Sequence, residues 1–155
     1  MKNVKNIIMP TDFSRLSLSA FELVKQISEL INAEIHIIHV AETNPPIISM
    51  KSYNIDENDL KSKYMEQTRE ELEKIADELR DETDSRIKSV LLTGLDFEEI
   101  VKYAAELHKP GEAESLIVIA THGRTGLMHT LMGSVAEKVI RYAKCPVLVV
   151  PHSSD

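Results

Sequence analysis

Cysteine is almost missing from this 155-residue chain: Cys145 stands alone, where an internal disulfide needs two. A reducing compartment, the cytoplasm, is therefore the simplest expectation. No apolar run approaches the roughly 18 residues that span a bilayer. The opening Met1-Lys2-Asn3-Val4-Lys5 leads into an apolar stretch too brief and mixed for a secretory leader. Both features point to a soluble protein with no membrane partner. Positive charge is also scarce, with 18 Lys and Arg against 25 Asp and Glu and a net charge of −7. That balance disfavours broad attraction to nucleic acid or anionic lipid. It leaves room for an anionic ligand, because a local nest of N–H groups can oppose the global field.

Several signatures of chemistry are missing too. No G-x-x-x-x-G-K-[ST] occurs, against a P-loop NTPase, and no lysine accompanies Gly133-Ser134. No G-x-G-x-x-G follows the first apolar stretch, against a dinucleotide enzyme. Without a G-x-S-x-G elbow, Ser134, His122 and Asp12 make no evident hydrolase triad. His36 and His39 are three apart in a strand-like stretch, which sends them to opposite faces, and no His/Cys spacing suits zinc. Cys145, followed by Pro146, reads as packed rather than reactive.

What is present is an ordinary globular composition, 43% hydrophobic and 28% charged, enough for one domain over residues 1–155 with a proper core. No internal repeat appears. Val4 to Met9 reads as a strand halted by Pro10. The turn Thr11-Asp12-Phe13-Ser14 precedes a helix over Arg15 to Asn32, capped by Asp12 or Ser14. Glu34 to Ala41 is a second strand, rich in β-branched residues. Glu42 to Asn58 carries Pro45-Pro46 and no period, so residues 42–63 read as a variable loop insertion merging into a charged helix over Asp59 to Thr83. On that helix Leu72, Ile75, Ala76 and Leu79 form the buried stripe, and Glu70 and Lys74 a supporting pair. Arg86 to Thr93 is a third strand, closed by Gly94. Phe97, Ile100, Val101, Ala104 and Leu107 mark a third helix. Ser115 to Ala120, Ser134 to Ala143 and Val147 to Val150 complete a β-α alternation. Such an alternation implies a doubly wound α/β fold, a parallel five-stranded sheet with helices on both faces. Ligands of such sheets bind at the carboxyl ends of the strands, where the winding direction switches.

The informative stretch is Leu116-Ile-Val-Ile-Ala120-Thr121-His122-Gly123-Arg124-Thr-Gly126, continuing to Gly133-Ser134-Val135-Ala136-Glu137. A buried strand gives way to a glycine-bearing loop, then to Ser134-x-x-Glu137, the spacing of a capping box. Backbone N–H groups at a fresh helix start, together with the helix dipole, favour a phosphate. Gly123, Gly126 and Gly133 would take positive φ or admit close approach. The plainer alternative is that Ser134 only caps the helix and the glycines only turn the chain. Asp12 likewise has a plain reading as a helix cap, and Arg124 as a solvated loop residue.

Ala120-x2-Gly123-x9-Gly133-Ser134 resembles the nucleotide loop of the universal stress protein family, written G-x2-G-x9-G-[ST], with Ala120 at its first glycine. Val135 to Val150 and Ile7-Ile-Met-Pro10-Thr11-Asp12-Phe13-Ser14 resemble the same family, and the likeness runs over nearly the whole chain, weakest between Glu42 and Lys63. The resemblance implies a Rossmann-like open sheet of strand order 3-2-1-4-5 and an ATP-binding signalling or stress-response module, with ATP carried as its Mg2+ complex. Residues Ala120, Thr121, His122, Gly123, Arg124 and Gly126 would then wrap the ribose and phosphates. Ser134 and Val135 would hold phosphate beside Gly133, and Pro10, Thr11 and Asp12 would flank the nucleoside. The Val40 backbone would meet the adenine edge. A glycine at position 120 is dispensable if the backbone there is ordinary strand. The resemblance also implies a homodimer through Val147–Val150, an apolar edge strand that pairing would cover. A nest with no assigned base binds better than it catalyses, so at most weak ATP hydrolysis is expected. Alternatives are a nucleotide-free interaction protein of the same fold and a slow ATPase.

Overall fold

A computed structural model describes residues 3–43, 56–121 and 132–151. Its elements run β1 (Val4–Pro10), α1 (Arg15–Leu18), α2 (Phe21–Ile31), β2 (Glu34–Ala41), α3 (Glu57–Arg80), β3 (Ile87–Thr93), α4 (Asp96–Leu107), β4 (Glu114–Ala120), α5 (Ser134–Tyr142) and β5 (Val147–Val150). The strands form one sheet of order β3-β2-β1-β4-β5, and every neighbouring pair is parallel. This is the doubly wound order expected.

The apolar runs of the inner strands explain their place. Ile7, Ile8 and Met9 of β1, Ile35, Ile37 and Ile38 of β2, and Ile117 and Val118 of β4 have no exposed surface. Strands so apolar must be covered on both sides. On one face Phe21 and Val24 of α2 join Leu72, Ala76 and Leu79 of α3. On the other, Ile100 and Ala104 of α4 join Ala136 and Val139 of α5. His36 and His39 do fall on opposite faces: His36 meets Tyr103 of α4, whereas His39 meets Thr11 and Phe13.

Four local expectations need correction. The helix foreseen over 15–32 is two helices, broken at Ser19 and Ala20. The Ser19 N–H and hydroxyl both turn back to the Leu16 carbonyl, at 3.3 and 2.7 Å, and Ser17 Oγ donates to the Ser14 carbonyl. Serine hydroxyls competing for ladder carbonyls interrupt a helix that its apolar stripe alone would carry through. Asn32 ends α2 in the left-handed region, at φ 54°. In the second place, α3 starts at Glu57, its N-cap Asp56 accepting from the Asn58 N–H, so residues 57–63 of the supposed insertion are helical. The charges that pair on α3 are Lys61 with Glu57, and Arg80 with Glu73 and Asp77, rather than Glu70 with Lys74. Finally, the capping box does not form. Gly133 is the N-cap of α5, Ser134 is already helical, and Glu137 pairs forward with Arg141 at 2.9 Å.

Candidate functional site

β1 has β2 on one side and β4 on the other. The chain after β1 enters helices on one face, and the chain after β4 enters α5 on the opposite face. Their divergence opens a crevice at the carboxyl ends of the strands, and a cavity of about 560 Å³ occupies it. Pro10, Thr11 and Asp12 line it from β1 and its turn, and Val40 from β2. Ala120 and Thr121 line it from β4, and Gly133, Ser134 and Val135 from the start of α5. Every expected site residue that the structure describes therefore reaches one cavity. His122, Gly123, Arg124 and Gly126 lie outside the described residues.

The α5 wall is the donor side. Glu137 makes the first ladder bond, to the Gly133 carbonyl at 3.0 Å. Ahead of it, the N–H groups of Ser134, Val135 and Ala136 make no hydrogen bond to any described residue, as expected of the opening turn of a helix. Ser134 is exposed, and no side-chain cap forms at this helix start. Gly133 behaves differently from expectation: φ −71° and ψ 156° are extended geometry open to any residue. Its N–H is already given to the Thr121 carbonyl at 2.6 Å, while the Thr121 N–H binds the Val150 carbonyl at 2.9 Å. Backbone conformation therefore does not require glycine there. Ala120 is ordinary strand, paired with Val150 and absent from the positive-φ positions, so a β-carbon at 120 carries no backbone penalty.

The β1–α1 wall has the opposite polarity. Thr11 N–H goes to the Ile38 carbonyl (2.9 Å), Asp12 N–H to Ser17 Oγ (3.3 Å), Phe13 N–H to Thr11 Oγ1 (3.0 Å) and Ser14 N–H to Asp12 Oδ1 (3.0 Å). Every backbone donor of this turn is thus committed. Ser14 is the cap of α1, accepting from the Ser17 N–H at 3.1 Å. Asp12 is not that cap; its half-buried carboxylate accepts from Ser14 and lines the cavity. The Thr11 hydroxyl is buried against Ser17 at 2.9 Å and shapes the turn. Ligand hydroxyl or amino groups, which donate, suit this wall; phosphate oxygens suit the amides of α5.

Other lining residues escape a motif-based reading. Phe13 and His39 stack at one side. Tyr64, Thr68 and Glu71 come from the middle turns of α3. The signal for them is their spacing of four and three, which extends the stripe read from Leu72 back toward the helix start. Glu42 and Asp96 add carboxylates beside Asp12 and Glu71, and no lysine or arginine is among the described lining residues. Among the described residues, no group of three or more His, Cys, Asp or Glu could hold a metal ion, and no helix is long and apolar enough to cross a membrane.

Two titrating groups lie away from the cavity. Burial lowers the pKa of His36 below the ordinary imidazole value; nearby Glu34 opposes the shift and Lys88 adds to it. Its Nδ1 is 2.8 Å from the Tyr103 hydroxyl. Its Nε2 lies 3.3 Å from Glu34 Oε2 without the alignment of a hydrogen bond. Burial raises the Cys145 thiol pKa above its ordinary value, a shift that favours the protonated form.

Comparison with known proteins agrees with this fold. The model of the universal stress protein family matches residues 3–151. Universal stress protein MJ0577 of Methanocaldococcus jannaschii is 35% identical, the alignment covering 97% of each chain. The structure of MJ0577 superposes with a TM-score of 0.77 over 99% of both chains. A universal stress protein solved in complex with cAMP shares 23% identity and a TM-score of 0.66 over 97% of this chain and 99% of its own. One from Archaeoglobus fulgidus, in complex with dAMP, shares 19% identity and a TM-score of 0.58 over 96% and 98%.

Proposed function

This chain belongs to the universal stress protein family, and from that premise we propose that it binds an adenine nucleotide, ATP as its Mg2+ complex, in the crevice between β1 and β4. One observation carries the reading: the amides of Ser134, Val135 and Ala136, unbonded among the described residues, line a cavity whose opposite wall has its backbone donors committed within the turn. A phosphate chain fits the first wall and a sugar hydroxyl or base amino group the second. The residues to hold the nucleotide are Ser134 and Val135 at the phosphates, Asp12 toward the nucleoside, and the Val40 backbone at the base. Four carboxylates on the lining, Asp12, Glu42, Glu71 and Asp96, disfavour a bare polyanion, so the nucleotide gains by arriving with a divalent cation. That relatives of this fold carry cAMP and dAMP supports the same ligand class.

Binding a ligand to the folded state alone raises stability by mass action, and a partner that distinguishes loaded from empty protein reads that state. The module therefore acts as a stress-response or signalling element in the cytoplasm without a chemical step. The edge strand Val147–Val150, half-buried along its length, pairs with a second copy to form a homodimer. Calorimetric titration with ATP and Mg2+ tests the ligand: saturable binding at one site per chain is expected. No heat at millimolar ATP would leave an interaction protein of the same fold.

A further inference from the structure

His39 and Phe13 meet across the β1–α1 turn, their rings stacked at 4.0 Å between centroids and 18° apart. Phe13 has φ 69°, a left-handed conformation that a bulky L-residue keeps only where its surroundings over-determine it. Three contacts do so. Thr11 Oγ1 takes the Phe13 N–H, Asp12 Oδ1 takes the next N–H, and the His39 ring covers the Phe13 face. His39 also places Nδ1 2.8 Å from the Thr11 carbonyl oxygen. A carbonyl only accepts, so Nδ1 carries the proton and the neutral ring is the Nδ1–H tautomer. The other β2 residues on this face, Ile35, Ile37 and Ala41, are apolar and fully buried. An imidazole appears on it only where β2 runs beside the turn, half-buried at the cavity wall.

We infer that His39 is a positioning residue of the nucleotide site, tying the Thr11–Phe13 turn to β2 so that Asp12 is fixed in the cavity before a ligand arrives. The inference rests on the nucleotide reading above. Its physical content is pre-organisation: a turn already held in its bound shape loses less freedom on binding. His39 acts on the ligand by holding the turn that carries Asp12.

Two measurements test it. Nitrogen NMR of the imidazole, above neutral pH and without nucleotide, should report the Nδ1–H tautomer; an Nε2–H tautomer overturns the inference. Calorimetry with ATP and Mg2+ should show His39→Leu binding about fivefold more weakly, the equivalent of one net hydrogen bond. His39→Asn, which returns an N–H donor at similar reach, should recover most of that loss. In an Asp12→Ala background His39→Leu should change affinity no further, although it lowers the melting temperature in both backgrounds. Equal affinity of wild type and His39→Leu overturns the positioning role and leaves the nucleotide reading intact. A wild-type protein that takes up no ATP while showing the Nδ1–H tautomer overturns the nucleotide reading, and the role of His39 in it.

Discussion

Replacing Ser134 by proline removes one backbone donor from the start of α5 without opposing the helix. Position 134 is the first helical residue, where a missing N–H breaks no ladder bond. The preceding Gly133, at ψ 156°, already has the extended geometry that a residue before proline requires. Ser134→Pro deletes the hydroxyl and the N–H together, whereas Ser134→Ala deletes the hydroxyl alone, so their difference isolates the amide. A hydrogen bond to a charged partner contributes about 1.5–3 kcal/mol, equivalent to roughly 10- to 150-fold in Kd. Calorimetry with ATP and Mg2+ should therefore find Ser134→Pro at least about tenfold weaker than Ser134→Ala. Its melting temperature should stay within about 4 °C of wild type, because no packed or bonded group is lost. Equal affinities in two folded variants would refute the assignment of phosphate to this terminus. A collapse of the melting temperature would instead refute the reading of residue 134 as the first helical position.

Two further outcomes follow from the geometry away from the cavity. Because burial lowers the pKa of His36, the unfolded chain takes up the proton first as pH falls below about 6.5. Stability from this group is complete above that value and declines as pH drops toward the folded pKa. Thermal melts between about pH 7.5 and pH 5 should then fall more steeply for wild type than for His36→Gln, and parallel curves would contradict it. Val149→Glu should turn a dimer into a monomer by light scattering, since a carboxylate buried without a partner in paired edges is costly; an unchanged mass would exclude β5 as the interface.

The fold was legible because the inner strands are uninterrupted apolar runs and the helices between them carry clear stripes, which leaves few alternatives to a parallel sheet. The lining of the cavity was legible for a related reason: a switch point in such a sheet sits where β1 and β4 end, which is where Pro10–Asp12 and Ala120–Thr121 fall. Less was readable where several short polar side chains compete for the same backbone. Ser14, Ser17 and Ser19 break one apparent helix into two, although the apolar stripe alone predicts continuity. Ser134-x-x-Glu137 has the spacing of a capping box, but an extended Gly133 whose N–H is anchored on Thr121 moves the cap back by one residue. The shift leaves the Ser134 side chain out of the cap. The α3 wall of Tyr64, Thr68 and Glu71 was missed because those positions mix aromatic, polar and charged side chains, and only spacing relates them.

The phosphate berth at α5 is tested most directly by titrating isotope-labelled protein with ATP and Mg2+ and following its backbone amide resonances. The Ser134, Val135 and Ala136 signals should move most and saturate together, with those of Asp12–Ser14 shifting less because their N–H groups are already bonded within the turn. Saturable binding that leaves the three α5 amides unmoved would contradict the assignment.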